Sequence, residues 1–309
     1  MTPFLPIILT ALGVSLLMTP WFCKLAYTFG AVDRPSGRKV HEKETPCLGG
    51  PAIFISFLLV VMIFVPLRPD FYGLLLGGLI ILLIGVYDDI KGFTPKQKLM
   101  GQILAALVFI AFGNQVDFLS SPYDGLLVLG IFSVPVTIFW VVGVTNALNL
   151  IDGLDGLASG VSAIALSTFF IIALFNQQIV FAMVVLALLG GVLGFLRYNF
   201  YPAKIFLGDS GSLFLGFMVA GLSVMGLMKG VTFLTLGVPI MILGVPILDT
   251  CFAIVRRFRF KKPIFQADKE HLHHWLLKMG LSHKQAVLVI YLLSFGCSLS
   301  AFYLILNGM

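Results

Sequence analysis

The chain of 309 residues is 59% hydrophobic and 11% charged, with a mean hydropathy of +1.04 and a net charge of +6. Soluble domains carry about 25% charged residues, so this composition excludes a water-soluble globule. The basic excess then indicates one face of a membrane rather than a nucleic-acid partner. The four cysteines lie in or beside apolar runs and are not spaced as a disulfide framework.

Apolar stretches of membrane-spanning length follow one another along the whole chain. They predict an all-α fold, a polytopic integral membrane bundle of about ten transmembrane helices, in a single domain over residues 1–309. The fourth stretch is short and would need its flanks to span a membrane. The stretches lie at about 3–29, 48–67, 71–87, 99–113, 126–147, 157–175, 178–196, 211–228, 232–255 and 286–306.

The loops between these stretches differ in charge. Most of the 20 lysines and arginines lie in one alternating set of loops, while the other set carries only Arg68 and Lys229. The positive-inside rule makes the basic set cytoplasmic and places both termini outside. Most acidic residues and all five histidines share that side, so we expect a cytoplasmic active-site face. The predicted cytoplasmic loops are about 30–47, 88–98, 148–156, 197–210 and 256–285.

Two adjacent carboxylates, Asp88 and Asp89, directly follow an apolar run. Neighbouring acids repel each other unless a cation compensates them, and Mg²⁺ held by carboxylates and substrate phosphates is a usual solution. The alternative is a solvated helix end with Lys91 as the counter-ion.

A second polar group, Asn149, Asp152 and Asp155, lies between two predicted spans in the sequence NLIDGLDG. Gly153 and Gly156 favour a broken, loop-like turn over a continuous helix. In either conformation the three polar side chains can converge on one ligand. A simple interhelical loop is the alternative.

Asp209 lies between two glycines immediately ahead of a long apolar run. This position is a helix N-terminus, where backbone N–H groups and the helix dipole favour a phosphate. Helix capping alone would also explain an aspartate here. Capping would not explain the lysine and the aromatic residue just upstream, Lys204 and Phe206.

Three histidines, His271, His273 and His274, lie in the most basic loop. No cysteine accompanies them, and neighbouring Lys and Arg oppose a zinc ion. Contact with an anionic substrate fits better, and a solvated amphipathic turn is the alternative.

Together, the Asp88–Asp89 pair, NLIDGLDG, FLGDSGSLFLG and EHLHH, in this order, resemble the polyprenyl-phosphate N-acetylhexosamine-1-phosphate transferase family, which includes the MraY, WecA and TagO enzymes. The resemblance covers about residues 34–274. RKVHEKETPCLGG and HLHH resemble the WecA/TagO branch rather than MraY. Gly92 stands where the family often has a third aspartate, so we do not expect a metal site built from the first motif alone.

The resemblance implies transfer of N-acetylglucosamine 1-phosphate from UDP-N-acetylglucosamine to undecaprenyl phosphate, with release of UMP, in the bacterial cytoplasmic membrane. It implies Mg²⁺, with Mn²⁺ as a substitute, and leaves a homodimer open. Asn149 and Asp209 resemble the metal ligands. Asp88 resembles the residue that deprotonates or orients the lipid phosphate, with Asp89 beside it, and Lys98 resembles a residue near the phosphates.

The remaining roles concern the donor. Phe206 resembles an aromatic residue that stacks on uracil, and Asp155 resembles an acid that contacts it. Asp152 resembles the acid on the sugar side, and Asn199 a residue near the phosphates. The histidines that resemble the loop contacting the pyrophosphate or the sugar are His271, His273 and His274.

Two alternatives remain at this point. An MraY-type enzyme would use a UDP-muramoyl pentapeptide as its donor. An ion-coupled transporter would place acids near the middle of the membrane. The only acid inside a predicted span is Asp249, and it lies toward the cytoplasmic end, which disfavours a transporter.

Overall fold

The computed structural model describes residues 4–33, 44–120, 126–227, 237–261 and 270–307. These residues form a helical bundle with two very short antiparallel strand pairs. The strands are β1 (Val32–Asp33), β2 (Thr45–Pro46), β3 (Phe118–Ser120) and β4 (Leu126–Val128). The helices are α1 (Phe4–Phe29), α2 (Gly49–Phe64), α3 (Pro69–Lys91), α4 (Pro95–Ala111), α5 (Ser133–Ile151), α6 (Leu157–Phe175), α7 (Ile179–Asn199), α8 (Gly208–Leu222), α9 (Gly237–Ile242), α10 (Gly244–Arg259), α11 (Leu272–Lys278) and α12 (His283–Asn307).

The predicted all-α, multi-pass membrane fold is confirmed. Within the described residues, seven helices are long and apolar enough to cross a membrane, namely α1, α3, α5, α6, α7, α8 and α12. The prediction of about ten spans is therefore higher than this count, because α2 and α4 are shorter and α9 and α10 divide one predicted stretch. The predicted start at residue 126 was also wrong, since β4 and a 3₁₀ turn precede α5.

Parts of the predicted basic loops lie outside the described residues. They include the basic positions at 34–43 and 262–269, and Lys229 of the opposite set of loops also lies outside the described residues.

Helix α8 lies at the centre of the bundle and packs against α2, α3, α5 and α6. Its start approaches two neighbouring helices very closely, because a Cβ at Gly50 or Gly85 would overlap the backbone around Ser210. Small residues allow such close helix contacts in membranes. The packing therefore brings the C-terminal end of α3, with its two aspartates, against the N-terminus of α8.

A tight turn returns the chain from α3 to α4. Helix α3 ends at Lys91 and is followed by Gly92, whose φ of 80° is in the region that favours glycine. Thr94 and Gln97 then form a capping box at the start of α4, with Pro95 in the first turn. The turn places Lys98 beside the end of α3.

A pair of amides connects α4 to α5. Gln102 and Asn146 exchange hydrogen bonds of 3.2 and 2.6 Å through their side-chain amides. Because residues three or four positions apart share a helix face, this pair places Lys98 on the same side as Asn149.

Candidate active site

Lys98 joins the first and third motifs. Its ammonium group lies 2.5 Å from Oδ2 of Asp88 and also donates a hydrogen bond to Oδ2 of Asp209. Oδ1 of Asp88 accepts the backbone N–H of Phe93 at 2.5 Å. Two carboxylates from separate helices are thus held together by one cation, an arrangement that the sequence did not predict.

Asp89 has a different environment from its neighbour. Its two oxygens accept the backbone N–H groups of Asp209 and Ser210, at 2.8 and 3.0 Å. Asp89 therefore caps the N-terminus of α8 from another helix, which stabilises both the helix dipole and the position of Asp209.

Asn149 is predicted to act with Asp209, and the structure brings the two together. Its side-chain NH₂ group donates to Oδ1 of Asp209 at 3.1 Å and to Oγ of Ser212 at 2.8 Å. The amide oxygen of Asn149 makes no hydrogen bond within the described part of the chain. The site therefore has an amide oxygen and a carboxylate side by side, both suitable for a hard cation.

The predicted turn after Asn149 is confirmed. Helix α5 continues to Ile151, and the turn that follows contains Asp152 and Asp155. Burial and the nearby carboxylates of Asp209, Asp89 and Asp155 raise the pKa of Asp152 well above its usual value. Oδ2 of Asp155 accepts the N–H of Ala203 at 2.9 Å.

These residues surround a cavity of about 570 Å³. Five of its lining residues are aspartates, and among the described residues that line it none is lysine or arginine. An anionic ligand would therefore meet an excess of negative charge unless a cation accompanied it. The five lining aspartates are Asp33, Asp89, Asp152, Asp155 and Asp209.

Phe206 and Asn199 both line this cavity. The N–H of Phe206 donates to the carbonyl of Pro46 at 2.8 Å, which fixes its segment against β2. Asn199 is 2% exposed, and its amide bonds to Ser159 and to the carbonyl of Ile205. Asn199 therefore holds the segment that carries Phe206.

The three predicted histidines do not share one environment. His271 is buried, with Nδ1 2.8 Å from Oδ2 of Asp249, and only His274 lines the cavity. His273 packs so closely on Gly153 that a Cβ there would overlap its ring. Burial, together with His274 and His271 beside it, lowers the pKa of His273 to about 3, so its ring is neutral at physiological pH.

The sequence assigned no role to three further residues at this site. His283 and Tyr201 line the cavity, and Asp249 orients His271. Asp249 carried a signal in the sequence, because an acid inside an apolar run needs a partner and a histidine loop follows. His283 and Tyr201 carried none, since their contacts depend on how α12 packs.

Comparison with known proteins supports the resemblance seen in the motifs. The chain is 45% identical over 293 residues to the probable undecaprenyl-phosphate N-acetylglucosaminyl 1-phosphate transferase of Bacillus subtilis, covering 94% of this chain and 81% of that protein. It is 36% identical over 330 residues to the decaprenyl-phosphate N-acetylglucosaminephosphotransferase of Mycolicibacterium smegmatis, covering 96% and 81%.

A third relative is named for the activity of the MraY-type alternative. The phospho-N-acetylmuramoyl-pentapeptide-transferase of Listeria monocytogenes is 37% identical over 312 residues, covering 92% of this chain and 91% of that protein. Residues 71–227, which contain three of the four motifs, match the model of one family, Glycosyl transferase family 4. The chain therefore belongs to glycosyl transferase family 4, as the motifs predicted.

Proposed function

We propose that the protein transfers N-acetylglucosamine 1-phosphate from UDP-N-acetylglucosamine to undecaprenyl phosphate and releases UMP. The observation that carries the proposal is the convergence of Asp88, Asn149 and Asp209, from three separate motifs. The 45% identity to a relative named as a probable undecaprenyl-phosphate N-acetylglucosaminyl 1-phosphate transferase supports it. Phosphoryl transfer depends mainly on positioning and charge stabilisation, which such a cluster can supply.

The donor nucleotide would occupy the cavity of about 570 Å³. Phe206 offers an aromatic face for the uracil ring, and Asp155 offers a carboxylate oxygen to a base N–H group. Asp152 and His274 also line this cavity and would contact the sugar and the pyrophosphate. His273, being neutral and packed on Gly153, would hold the wall in place rather than neutralise a phosphate.

The residues present fit a Mg²⁺ ion. The cavity is acidic, and Asn149 and Asp209 offer the oxygen ligands that Mg²⁺ prefers. The described residues contain no group of three or more His, Cys, Asp or Glu side chains arranged to hold a metal, so phosphate oxygens of the donor would have to complete the site. When bound, Mg²⁺ supplies Lewis-acid stabilisation of charge on the pyrophosphate.

The acceptor phosphate would be handled by Asp88 and Lys98. Asp88 is fixed by the N–H of Phe93 and by the ammonium group of Lys98, so its carboxylate is held in one orientation. In that position it can orient the acceptor phosphate or take its proton. Lys98 offsets part of the negative charge of Asp88 and Asp209 while the acceptor phosphate approaches.

The distribution of basic residues supports a cytoplasmic location for this site in a bacterial inner membrane, where a nucleotide sugar is available. The termini would then lie outside.

The proposal is tested with purified protein in detergent, Mg²⁺, undecaprenyl phosphate and either UDP-N-acetylglucosamine or a UDP-muramoyl pentapeptide. UMP release should require the lipid phosphate and should be far faster with UDP-N-acetylglucosamine. Asp209→Asn should remove at least about 99% of the rate while the protein still elutes as a single species. Preference for the pentapeptide donor would contradict the choice of sugar.

A further inference from the structure

His283, the first residue of α12, contacts the turn that carries Asp155. Its Nε2 accepts the backbone N–H of Asp155 at 2.9 Å. The same nitrogen lies 3.8 Å from Oδ1 of Asp155, which is too far for a hydrogen bond. Nε2 is therefore an acceptor, and the ring proton belongs on Nδ1.

The two carboxylate oxygens of Asp155 differ in their hydrogen bonds. Oδ2 accepts the N–H of Ala203 at 2.9 Å, whereas Oδ1 has no hydrogen bond within the described residues. Asp155 and His283 both line the cavity, with only 13% and 12% of their side chains exposed. With its backbone held by His283 and one oxygen by Ala203, the Asp155 carboxylate has one oxygen, Oδ1, that accepts no hydrogen bond from the described residues and lies at a fixed place.

A second contact from α12 holds the same turn. The hydroxyl of Tyr291 donates to the carbonyl of Gly156 at 2.5 Å. On the cavity side, the ring of Tyr201 lies 4.7 Å from the imidazole of His283, tilted by 31°. Helix α12 thus fixes the turn at two adjacent residues, and Tyr201 limits rotation of the imidazole.

We propose that His283 is a positioning residue for recognition of the donor base. By holding Asp155, it presents Oδ1 to the imide N–H of a uracil ring, and the same oxygen repels the unprotonated ring nitrogen of cytosine at that position. This inference rests on the proposed function, because it requires a uridine nucleotide in the cavity. The role would explain why a histidine at the start of a membrane helix points into an acidic cavity.

The test compares four variants of the full-length protein by calorimetric titration with UMP and CMP. His283→Leu and His283→Ala remove the acceptor and leave the Asp155 N–H unpaired, while His283→Gln can restore an acceptor oxygen. Gln285→Ala is the matched control, because Gln285 accepts the N–H of Ser282 in the same first turn of α12 and does not contact Asp155. Thermal unfolding and steady-state kinetics are recorded for each variant.

Loss of the acceptor should weaken UMP binding about 10-fold or more, reduce the preference for UMP over CMP, and raise KM for UDP-N-acetylglucosamine with little change in kcat. His283→Gln and Gln285→Ala should stay within about threefold of the unchanged protein. Unaltered UMP binding in His283→Leu and His283→Ala, or an equal loss of UMP binding in Gln285→Ala, would overturn the role of His283. Either result would leave the proposed function standing. An unchanged protein that releases no UMP from UDP-N-acetylglucosamine would overturn the proposed function, and the inference with it.

Discussion

Oδ2 of Asp249 lies 2.8 Å from Nδ1 of His271, and Oδ1 of Asp249 accepts the N–H of Leu272 at the same distance. Asp249 thereby attaches the start of α11 to α10 through both oxygens. Because α11 carries His273 against Gly153 and His274 to the cavity, this carboxylate helps to fix the position of both histidines.

Asp249→Ala should therefore lower both stability and donor binding. It leaves the buried ring of His271 and the N–H of Leu272 without their partner, at a cost of about 1–3 kcal/mol in the free energy of unfolding. Thermal unfolding in detergent and titration with UMP measure the two effects. Asp70→Asn, which removes an exposed pair with Arg68, is the control and should cost less than about 1 kcal/mol. Equal effects of the two substitutions would contradict the role of Asp249.

Stability should depend on pH through His273. Histidine in an unfolded chain titrates near pH 6.5, whereas the pKa of His273 is about 3, so the unfolded state binds the extra proton between these values. The contribution of the neutral His273 ring to the free energy of unfolding is complete above pH 6.5. It falls as the pH is lowered toward 3, by up to about 1.4 kcal/mol per pH unit.

The measurement is the thermal midpoint between pH 7.5 and pH 5. His273→Gln should flatten the decrease toward acid pH, while His274→Gln, whose ring lines the cavity, should keep it. A slope unchanged by His273→Gln would mean that another group causes the acid loss of stability.

Phe206→Ala should weaken UMP binding by about 1–3 kcal/mol if the ring stacks on the base, as aromatic residues do on nucleic-acid bases. Calorimetric titration measures the change. Phe206→Tyr keeps the aromatic face and should bind UMP with nearly the original affinity. UMP affinity that survives Phe206→Ala would place the base elsewhere in the cavity.

Asp88→Asn should separate the two substrates. If Asp88 acts on the lipid phosphate, turnover should fall by about 10²-fold or more while UDP-N-acetylglucosamine still binds. Calorimetry for the nucleotide sugar, alongside the UMP release assay, distinguishes the two effects. Loss of nucleotide binding with the lipid still bound would reverse the assignment.

The apolar runs predicted most helices, because a membrane helix can be recognised from the length and composition of its sequence alone. The structure also brings residues of three motifs together, because Lys98 contacts Asp88 and Asp209 while Asn149 contacts Asp209. Their predicted roles in catalysis and metal binding stay predictions. The number of spans was predicted less well, since apolar runs such as 232–255 contain helix breaks that composition does not show.

The separate roles within each motif could not be predicted, because they depend on packing. Asp88 and Asp89 are adjacent in sequence, yet one binds Lys98 and the other caps α8. His271 and His274 are three residues apart, yet one is buried on Asp249 and the other reaches the cavity. Such differences follow from which face of a helix meets its neighbour.

The most direct test of the central claim follows the phosphate itself. UDP-N-acetylglucosamine labelled at the phosphate attached to the sugar is incubated with the protein, Mg²⁺ and undecaprenyl phosphate, and both products are separated. Sugar-1-phosphate transfer predicts that the label enters the lipid fraction and that unlabelled UMP is released in equal amount. Release of labelled UDP, with sugar alone joined to the lipid, would contradict the account.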